Sequence, residues 1–257
     1  MSFKALSPQP LSDVKGKVVI AAVDLPHISN FTDFDAFEGE PDVAFSIARS
    51  AEQLQDADVI IIPGSKNVIG DLNYLAKRGL DKGIVSRAHR GETTVVGICG
   101  GYQMLGQVVK DPSGVESSPG SEQPALDLLP MTTVLEEQKT LVLTQATHIA
   151  SGCTLKGYEI HHGKTVTESL KPAVVRDDGE VIGYGDPETR VWGTYLHGLF
   201  DDDLFRRWTI DQARKRKGLA PLGKVMAKHD IEPALDRLAD TVRRRLDMEA
   251  IYRLLKK

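Results

Sequence analysis

One stretch decides how the chain can fold: residues 93–106, TTVVGICGGYQMLG. It begins as a β-branched apolar run, reaches a cysteine between glycines, and continues with helix-compatible residues, which predicts a strand, a sharp turn and a helix over residues 100–109. The segment from Gly97 to Gly101 has the glycine-x-nucleophile-x-glycine form of a nucleophile elbow. Glycines leave room for crossing segments at such a turn, and the helix N-terminus beyond it favours a thiolate at Cys99.

Apolar runs of the same kind recur earlier in the chain and predict buried strands at residues 17–24, 42–48 and 57–62. Helical patterns at 68–90 lead into the elbow strand, so strands and helices alternate. The alternation predicts an α/β fold: a mostly parallel sheet with helices on both faces. After an expected surface loop at 110–130, strand-like runs that include 131–136 and 140–148 predict a mixed or antiparallel excursion in the second half.

The domain organisation follows from composition. Residues 1–16 are polar and contain proline and serine, and they predict a flexible tail or linker. Residues 17–217 are expected to form the main domain. Residues 218–257 are expected to form a helical extension packed on that domain, with one long helix over 231–255.

The overall composition narrows the possible partners. The chain has 257 residues, 41% of them hydrophobic and 26% charged, with a formal net charge of −4, so no nucleic-acid partner is expected. No apolar run approaches the length of a membrane span and no signal-peptide pattern opens the sequence, so no membrane partner is expected. The two cysteines, Cys99 and Cys153, show no C-x-x-C spacing. Neither a disulfide framework nor a metal site is expected, and the expected location is the cytoplasm.

A cysteine nucleophile needs a base, and His197 is the strongest candidate among seven histidines. It directly follows an apolar strand, which places it at the same carboxyl edge of the sheet as Cys99. The adjacent pair at 161–162 also follows a strand-like run. A structural histidine is the simpler alternative for each.

Acyl transfer further needs donors for an oxyanion. The N–H of Gly100 and one N–H from Gly64 or Ser65 are the candidates. Gln103, one helical turn after the cysteine, has an amide that suits a small polar substrate; the alternative is a solvent-facing helix residue. Residues 25–37, dense in aromatic and carboxylate groups, form either a ligand loop at the sheet edge or a packed surface loop.

Five segments together carry a resemblance to a known family. Residues 97–103 (GICGGYQ), 63–67 (PGSKN) and 195–200 (YLHGLF) resemble the signature of class I, triad-type glutamine amidotransferase domains. More narrowly they resemble the cobyric acid synthase and cobyrinate a,c-diamide synthase branch. Residues 25–35 (LPHISNFTDFD) and 157–163 (GYEIHHG) resemble the cobyric acid synthase pattern specifically. The resemblance extends over about residues 17–215 and implies a flavodoxin-like fold.

The resemblance also implies an activity. Cys99 would attack the side-chain amide of glutamine with help from His197, forming a glutamyl thioester and ammonia. The ammonia would serve the ATP-dependent amidation of corrinoid carboxylates, from adenosylcobyrinic a,c-diamide to cobyric acid, in cobalamin biosynthesis. The substrate-binding residues would be Gly64, Ser65, Gly100 and Gln103. No cofactor is implied in this chain, because ATP and Mg belong to the family's synthetase domain.

The chain departs from the family pattern in two respects. Leu199 stands where most class I members have the acid that orients the histidine. The site is therefore either a Cys–His dyad or takes a third group from elsewhere, with Glu159 and Asp201 as candidates. The sequence also lacks a G-x-x-x-x-G-K-[ST] phosphate loop, so it is expected to be the glutaminase half, either an excised domain or a separate subunit.

Three alternatives remain open at the level of sequence. The first is a stand-alone glutaminase subunit serving another synthetase, such as one that amidates a cell-wall lipid precursor. The second is a cysteine hydrolase or peptidase on a similar scaffold. The third is a non-catalytic binding module of the same fold, with Cys99 as a small buried apolar residue.

Overall fold

The computed structural model describes residues 14–186 and 190–255 of the chain. The strands of these residues are β1 Val18–Val23, β2 Ile28–Ser29, β3 Val43–Ala48, β4 Val59–Ile62, β5 Gly64–Ser65, β6 Thr94–Ile98, β7 Val108–Asp111, β8 Ser121–Pro124, β9 Thr132–His148, β10 Cys153–Val166, β11 Lys171–Arg176, β12 Val181–Asp186 and β13 Val191–Thr194. The α-helices are α1 Asp35–Glu38, α2 Val68–Arg78, α3 Leu80–His89, α4 Gly100–Met104, α5 Asp203–Arg216, α6 Glu232–Arg245 and α7 Met248–Leu255.

Five strands form the parallel centre of the sheet in the order β3-β1-β4-β6-β13. Numbered by their sequence within this centre, that order is 2-1-3-4-5, the flavodoxin-like order, which confirms the predicted fold class. Beyond β13 the sheet continues through β12, β11 and β9, each antiparallel to its neighbour. The long β9–β10 hairpin and the β7–β8 pair complete this mixed extension, which was also predicted.

The central strands are buried on both faces because their residues alternate between two apolar cores. In β1, Ile20 and Ala22 face the core that holds α1 and α5, whereas Ala21 and Val23 face the core that holds α2, α3 and α4. This burial on both faces explains why the sequences of these strands are nearly continuous apolar runs. The helices therefore cover both faces and leave the carboxyl ends of the strands to the connecting loops.

Several elements differ from the sequence-based expectation. The helix after the elbow ends at Met104 instead of residue 109, because the chain turns at residues 105–107 and then joins the sheet as β7. A Cβ at Gly106 would lie 2.7 Å from the Met131 carbonyl oxygen, so the chain passes close to the start of β9 there. The expected loop at 110–130 includes β8, and the two runs expected at 131–136 and 140–148 form one 17-residue strand, β9.

The chain divides into two compact units, one ending at Ala227 and the other spanning Lys228–Lys257. The second unit holds α6 and α7, which were expected as one helix and are separated by two residues, the first of which, Leu246, is extended (φ −115°, ψ 150°). Residues 218–227 belong to the first unit. The expected packing of the extension on the main domain stays a prediction, and the expected tail lies largely outside the described residues. No helix of residues 14–186 and 190–255 is long and apolar enough to cross a membrane.

Candidate active site

The elbow at Cys99 has the geometry that its sequence pattern predicts. Cys99 has φ 51° and ψ −108°, a backbone conformation that costs a non-glycine residue about 1–3 kcal/mol. Its N–H donates to the Thr194 carbonyl of β13 at 2.8 Å, which holds the strained turn in place. A Cβ at Gly101 would lie 2.0 Å from the Ile62 carbonyl oxygen, so only glycine lets α4 pass this close to β4. The thiol is thereby held at the carboxyl edge of the sheet.

His197 lies just beyond β13, at the same edge. Its N–H donates to the Tyr158 carbonyl at 2.9 Å, and its ring stacks on the Tyr158 ring with centroids 5.3 Å apart. The imidazole is fully buried. Its Nε2 atom has no hydrogen-bond partner among the residues that the structure describes, although the Cys99 thiol is near enough to affect its protonation. The structure thus brings the two predicted catalytic residues together.

Asp33 is a third residue of this group, and the sequence analysis missed its role. It lies in a 3-10 turn, Phe31–Phe34, in the loop that follows β1. The Nδ1–H of His197 donates to one Asp33 carboxylate oxygen at 2.8 Å, and the Gly198 N–H donates to the other at 2.9 Å. Asp33 is only 3% exposed, so water hardly screens this contact. The site therefore has a Cys–His–Asp arrangement in which Asp33 fixes the histidine.

The two sequence candidates for this place do not fill it. Glu159 directs its carboxylate elsewhere: the Thr144 hydroxyl donates to it at 2.7 Å and Arg176 at 3.3 Å. The hydrogen bond to Nδ1 of the histidine is made by Asp33 and not by Asp201. The position of Asp33 in the sequence could have indicated its role. The loop that carries it directly follows the first buried strand and therefore starts at the carboxyl edge of the sheet.

The surroundings of His197 favour its charged form. Burial by itself disfavours an imidazolium and lowers the pKa, but the hydrogen bond to the Asp33 carboxylate and the interaction with the nearby Cys99 sulfur outweigh it. Together they raise the pKa of His197 to about 10. At neutral pH the imidazole is therefore protonated next to the thiol, so it can give a proton from Nε2 to a leaving group.

The predicted oxyanion residues also meet beside the nucleophile. Gly64 and Ser65 form β5, which pairs with β2 in a small ribbon. A Cβ at Gly100 would lie 2.7 Å from the Ser65 backbone nitrogen, and one at Gly64 would lie 2.8 Å from Cε1 of His197. The Ser65 hydroxyl donates to the buried Asp71 carboxylate at 2.6 Å, which anchors the ribbon. Backbone atoms of all three predicted residues thus lie at the edge occupied by the thiol.

Gln103 occupies the other side of the site. Its side chain is 3% exposed, which excludes the solvent-facing alternative. A Cβ at Gly163 would lie 2.0 Å from its Nε2 atom, so the amide packs directly on the β10 backbone. The Tyr195 hydroxyl, which also hydrogen-bonds Thr165 at 2.7 Å, interacts with the same amide. Gln103 is therefore held in a defined position one turn from the nucleophile.

The adjacent histidines of β10 have other partners. His161 stacks on the Tyr195 ring with centroids 3.7 Å apart, and its Nδ1–H donates to the Gly163 carbonyl at 2.8 Å. His162 donates to the Glu136 carbonyl at 3.0 Å. Within residues 14–186 and 190–255, no group of three or more His, Cys, Asp or Glu side chains could hold a metal ion.

Comparison with known proteins places this site in a family. The sequence matches the CobB/CobQ-like glutamine amidotransferase domain over residues 19–205. It is 45% identical over 256 residues to the adenosylcobalamin biosynthesis bifunctional protein CobDQ of Leptospira interrogans serogroup Icterohaemorrhagiae serovar Lai, covering 99% of this chain and 30% of that protein. It is 44% identical over 276 residues to the cobyric acid synthase of Nitratidesulfovibrio vulgaris, covering 93% of this chain and 51% of that protein. The chain thus spans about half the length, or less, of these curated relatives.

Solved structures of glutamine amidotransferases share the fold. One, described as a glutamine amidotransferase, has a TM-score of 0.56 at 15% identity, covering 77% of this chain and 99% of that chain. PurLQS from Thermotoga maritima has a TM-score of 0.53 at 17% identity, covering 78% and 95%. At these identities the likeness concerns the fold alone. The family match over most of the main domain is the decisive finding, and the chain belongs to the CobB/CobQ-like glutamine amidotransferase domain family.

Proposed function

We propose that this chain hydrolyses glutamine through a thioester at Cys99 and supplies the ammonia for the amidation of corrinoid carboxylates. The observation that carries the proposal is the buried His197 between Asp33 and the thiol. Its Nδ1–H is fixed by Asp33 at 2.8 Å, and its Nε2 atom is left without a partner among the described residues. A histidine fixed at one nitrogen and available at the other is what a cysteine nucleophile requires.

The proposed chemistry has two halves. In the first, the Cys99 thiolate attacks the carbonyl carbon of the glutamine side-chain amide and forms a tetrahedral intermediate. The intermediate collapses as Nε2 of His197 gives its proton to the nitrogen, so ammonia leaves and a glutamyl thioester remains. In the second, His197 accepts a proton from water, the hydroxide attacks the thioester, and glutamate is released with the thiol restored.

The remaining predicted residues have assigned roles in this proposal. The oxyanion of each tetrahedral intermediate would be bound by the N–H of Gly100 and by an N–H of Gly64 or Ser65, which lie next to each other at the elbow. Gln103 would bind the glutamine through its amide. In other acyl-transfer enzymes, the removal of one oxyanion-hole donor by mutation raises the free energy of the transition state by about 3–4 kcal/mol.

The identity of the ammonia acceptor rests on the relatives. Their names, cobyric acid synthase and adenosylcobalamin biosynthesis bifunctional protein, favour a corrinoid over a cell-wall lipid precursor. We propose that a synthetase domain or subunit binds the corrinoid together with ATP and Mg, and that this chain binds glutamine. We retain a cytoplasmic location in the proposal, because Cys99 and Cys153 are both free thiols.

The test is glutamate release from glutamine by three proteins: wild type, Cys99→Ala, and Cys153→Ala as a matched control. Each is assayed alone and with a cobyric acid synthase-type synthetase. We expect wild type and Cys153→Ala to release glutamate and Cys99→Ala to release none above background. Amide-labelled ¹⁵N-glutamine should pass its label to the corrinoid. Equal glutamate release by Cys99→Ala would contradict the hydrolytic mechanism, and labelling of a different acceptor would contradict the corrinoid assignment alone.

A further inference from the structure

A cavity of about 870 Å³ lies at the opposite, amino edge of the central sheet. Its lining includes Thr94, the first residue of β6, whereas Cys99 follows the last residue of the same strand. Five residues of strand correspond to roughly 16 Å, so the cavity is separate from the nucleophile. Pockets that bind small molecules usually enclose about 300–1,000 Å³, and this cavity falls in that range.

One wall of the cavity is aromatic. It contains Trp192 of β13 and Trp208 of α5, the two tryptophans of the chain. The His148 ring lies between them, with its centroid 4.9 Å from Trp192 and 5.1 Å from Trp208. The Ser151 N–H donates to Nδ1 of His148 at 3.2 Å, and burial lowers the pKa of His148 to about 4. The wall is therefore uncharged at neutral pH and suits a flat aromatic ligand.

The rest of the lining is mostly apolar and includes three cationic side chains. The cations are Lys171, Arg190 and Arg216, and one acidic residue, Asp186, lies beside them among the described residues that line the cavity. The Arg190 guanidinium donates to the Gly91 carbonyl, which fixes its position. Partial burial lowers the pKa of Arg216, and the nearby charge of Arg190 lowers it further. Positive charges concentrated around an apolar wall favour an anion with an apolar body.

Two hydroxyls in the lining are buried. Thr94 and Thr209 are 8% and 5% exposed, and their Oγ1 atoms have no hydrogen-bond partner in the part of the chain that the structure describes. Buried hydroxyls without partners are uncommon in folded proteins and require an explanation. Both oxygen atoms are themselves closed to solvent, so a ligand would contact the aromatic wall and the cations instead of these hydroxyls.

We propose that this cavity is a second binding site, for a planar aromatic anion that stacks on Trp192 and Trp208 and places its negative group at Arg190 and Arg216. The site is independent of the glutamine site. Trp192 lies on β13, the strand that precedes His197, so a ligand here contacts the strand that leads to the base. A nucleotide and a smaller aromatic acid share the required chemistry, and the experiment separates them.

The experiment uses the fluorescence of the two tryptophans, both of which line the cavity, so their emission reports on its occupancy. The full chain is titrated with ATP, with the aromatic sulfonate 8-anilinonaphthalene-1-sulfonate, and with inorganic triphosphate, and calorimetry repeats each titration. We expect saturable binding of at least one aromatic probe and at least tenfold weaker binding of triphosphate, which has no ring. Preference for ATP identifies a nucleotide, and preference for the sulfonate identifies a smaller aromatic acid.

Two arginine variants locate the binding. Arg216→Ala is expected to weaken the aromatic probe about tenfold, because it removes one charge-assisted contact. Arg243→Ala, on α6 and 67% exposed, removes the same charge elsewhere and should bind as wild type does. The proposal is overturned if neither aromatic probe binds saturably, if triphosphate binds as tightly as the aromatic probes, or if the two variants bind equally.

Discussion

Replacing Asp33 by asparagine tests whether the carboxylate that the sequence pattern did not reveal controls the histidine. The wild-type contact is a charge-assisted hydrogen bond of 2.8 Å between His197, fully buried, and Asp33, 3% exposed. Such bonds contribute about 1.5–3 kcal/mol, which corresponds to a loss of roughly 10- to 150-fold in kcat/KM for glutamine hydrolysis. The asparagine side chain can still accept the Gly198 N–H through its oxygen, so the loop should keep its conformation.

The pH profile gives the sharper readout. Asp33 helps to raise the pKa of His197 to about 10, and the ammonia leaving group needs the protonated histidine. Without the carboxylate the pKa falls, so the alkaline loss of kcat/KM should begin at a lower pH in Asp33→Asn than in wild type. The assay is glutamate release across the pH range at fixed ionic strength.

The matched control is Asp35→Asn, an exposed carboxylate two residues further along the chain, at the first residue of α1. We expect this variant to keep the wild-type rate and the wild-type alkaline limb. Asp33 does not control the histidine if Asp33→Asn retains both full kcat/KM and an unshifted alkaline limb, or if Asp35→Asn loses as much activity as Asp33→Asn does.

Three further predictions concern neighbouring groups. Glu159→Gln should lower the free energy of unfolding in urea by about 1–3 kcal/mol, since it removes the charge that faces Arg176. The alkaline limb of the kcat/KM profile should not move, and a shift of that limb would instead link Glu159 to the catalytic histidine. Gly163→Ala should raise KM for glutamine more than it lowers kcat, because its Cβ would displace the Gln103 amide, and an unchanged KM would argue against substrate binding by Gln103. The pKa of His148 in the folded chain is about 4, below its ordinary value of 6.5, so the unfolded chain binds more protons between these two pH values. The free energy of unfolding should therefore fall by up to about 3 kcal/mol as the pH drops from 6.5 to 4. His148→Phe should remove most of this slope in urea unfolding, and a slope as steep as that of wild type would contradict it.

Local patterns were sufficient to predict the centre of the fold. Strands such as β1 and β4 are buried on both faces, so their continuous apolar runs predict a strand without any tertiary information. Patterns failed where pairing decides the structure. Residues 108–109 were predicted as the end of a helix and residues 110–111 as the start of a loop, but all four form β7, which pairs with β8 and β9. The exposed middle of β9 was predicted as a turn, although β10 pairs along nearly its whole length.

The same distinction applies to the site. Cys99 directly follows β6 and His197 comes three residues after the end of β13, so the sheet edge could be inferred for both from the sequence. Asp33 lies 164 residues from His197 along the chain, and only the packing of the loop after β1 against the end of β13 brings them together. No spacing rule connects such residues, which is why the sequence analysis considered Glu159 and Asp201 instead.

Covalent labelling with a glutamine-analogue diazoketone, followed by mass spectrometry of the peptides, tests most directly whether Cys99 is the nucleophile that attacks glutamine. The reagent must first bind as glutamine does and then alkylate the nucleophile, so it reports on recognition and reactivity together, with no need for a synthetase. We expect one label on Cys99, none on Cys153, protection by glutamine, and slower labelling of His197→Ala. Labelling of Cys153 alone, or no glutamine-protected label on Cys99, would contradict this expectation.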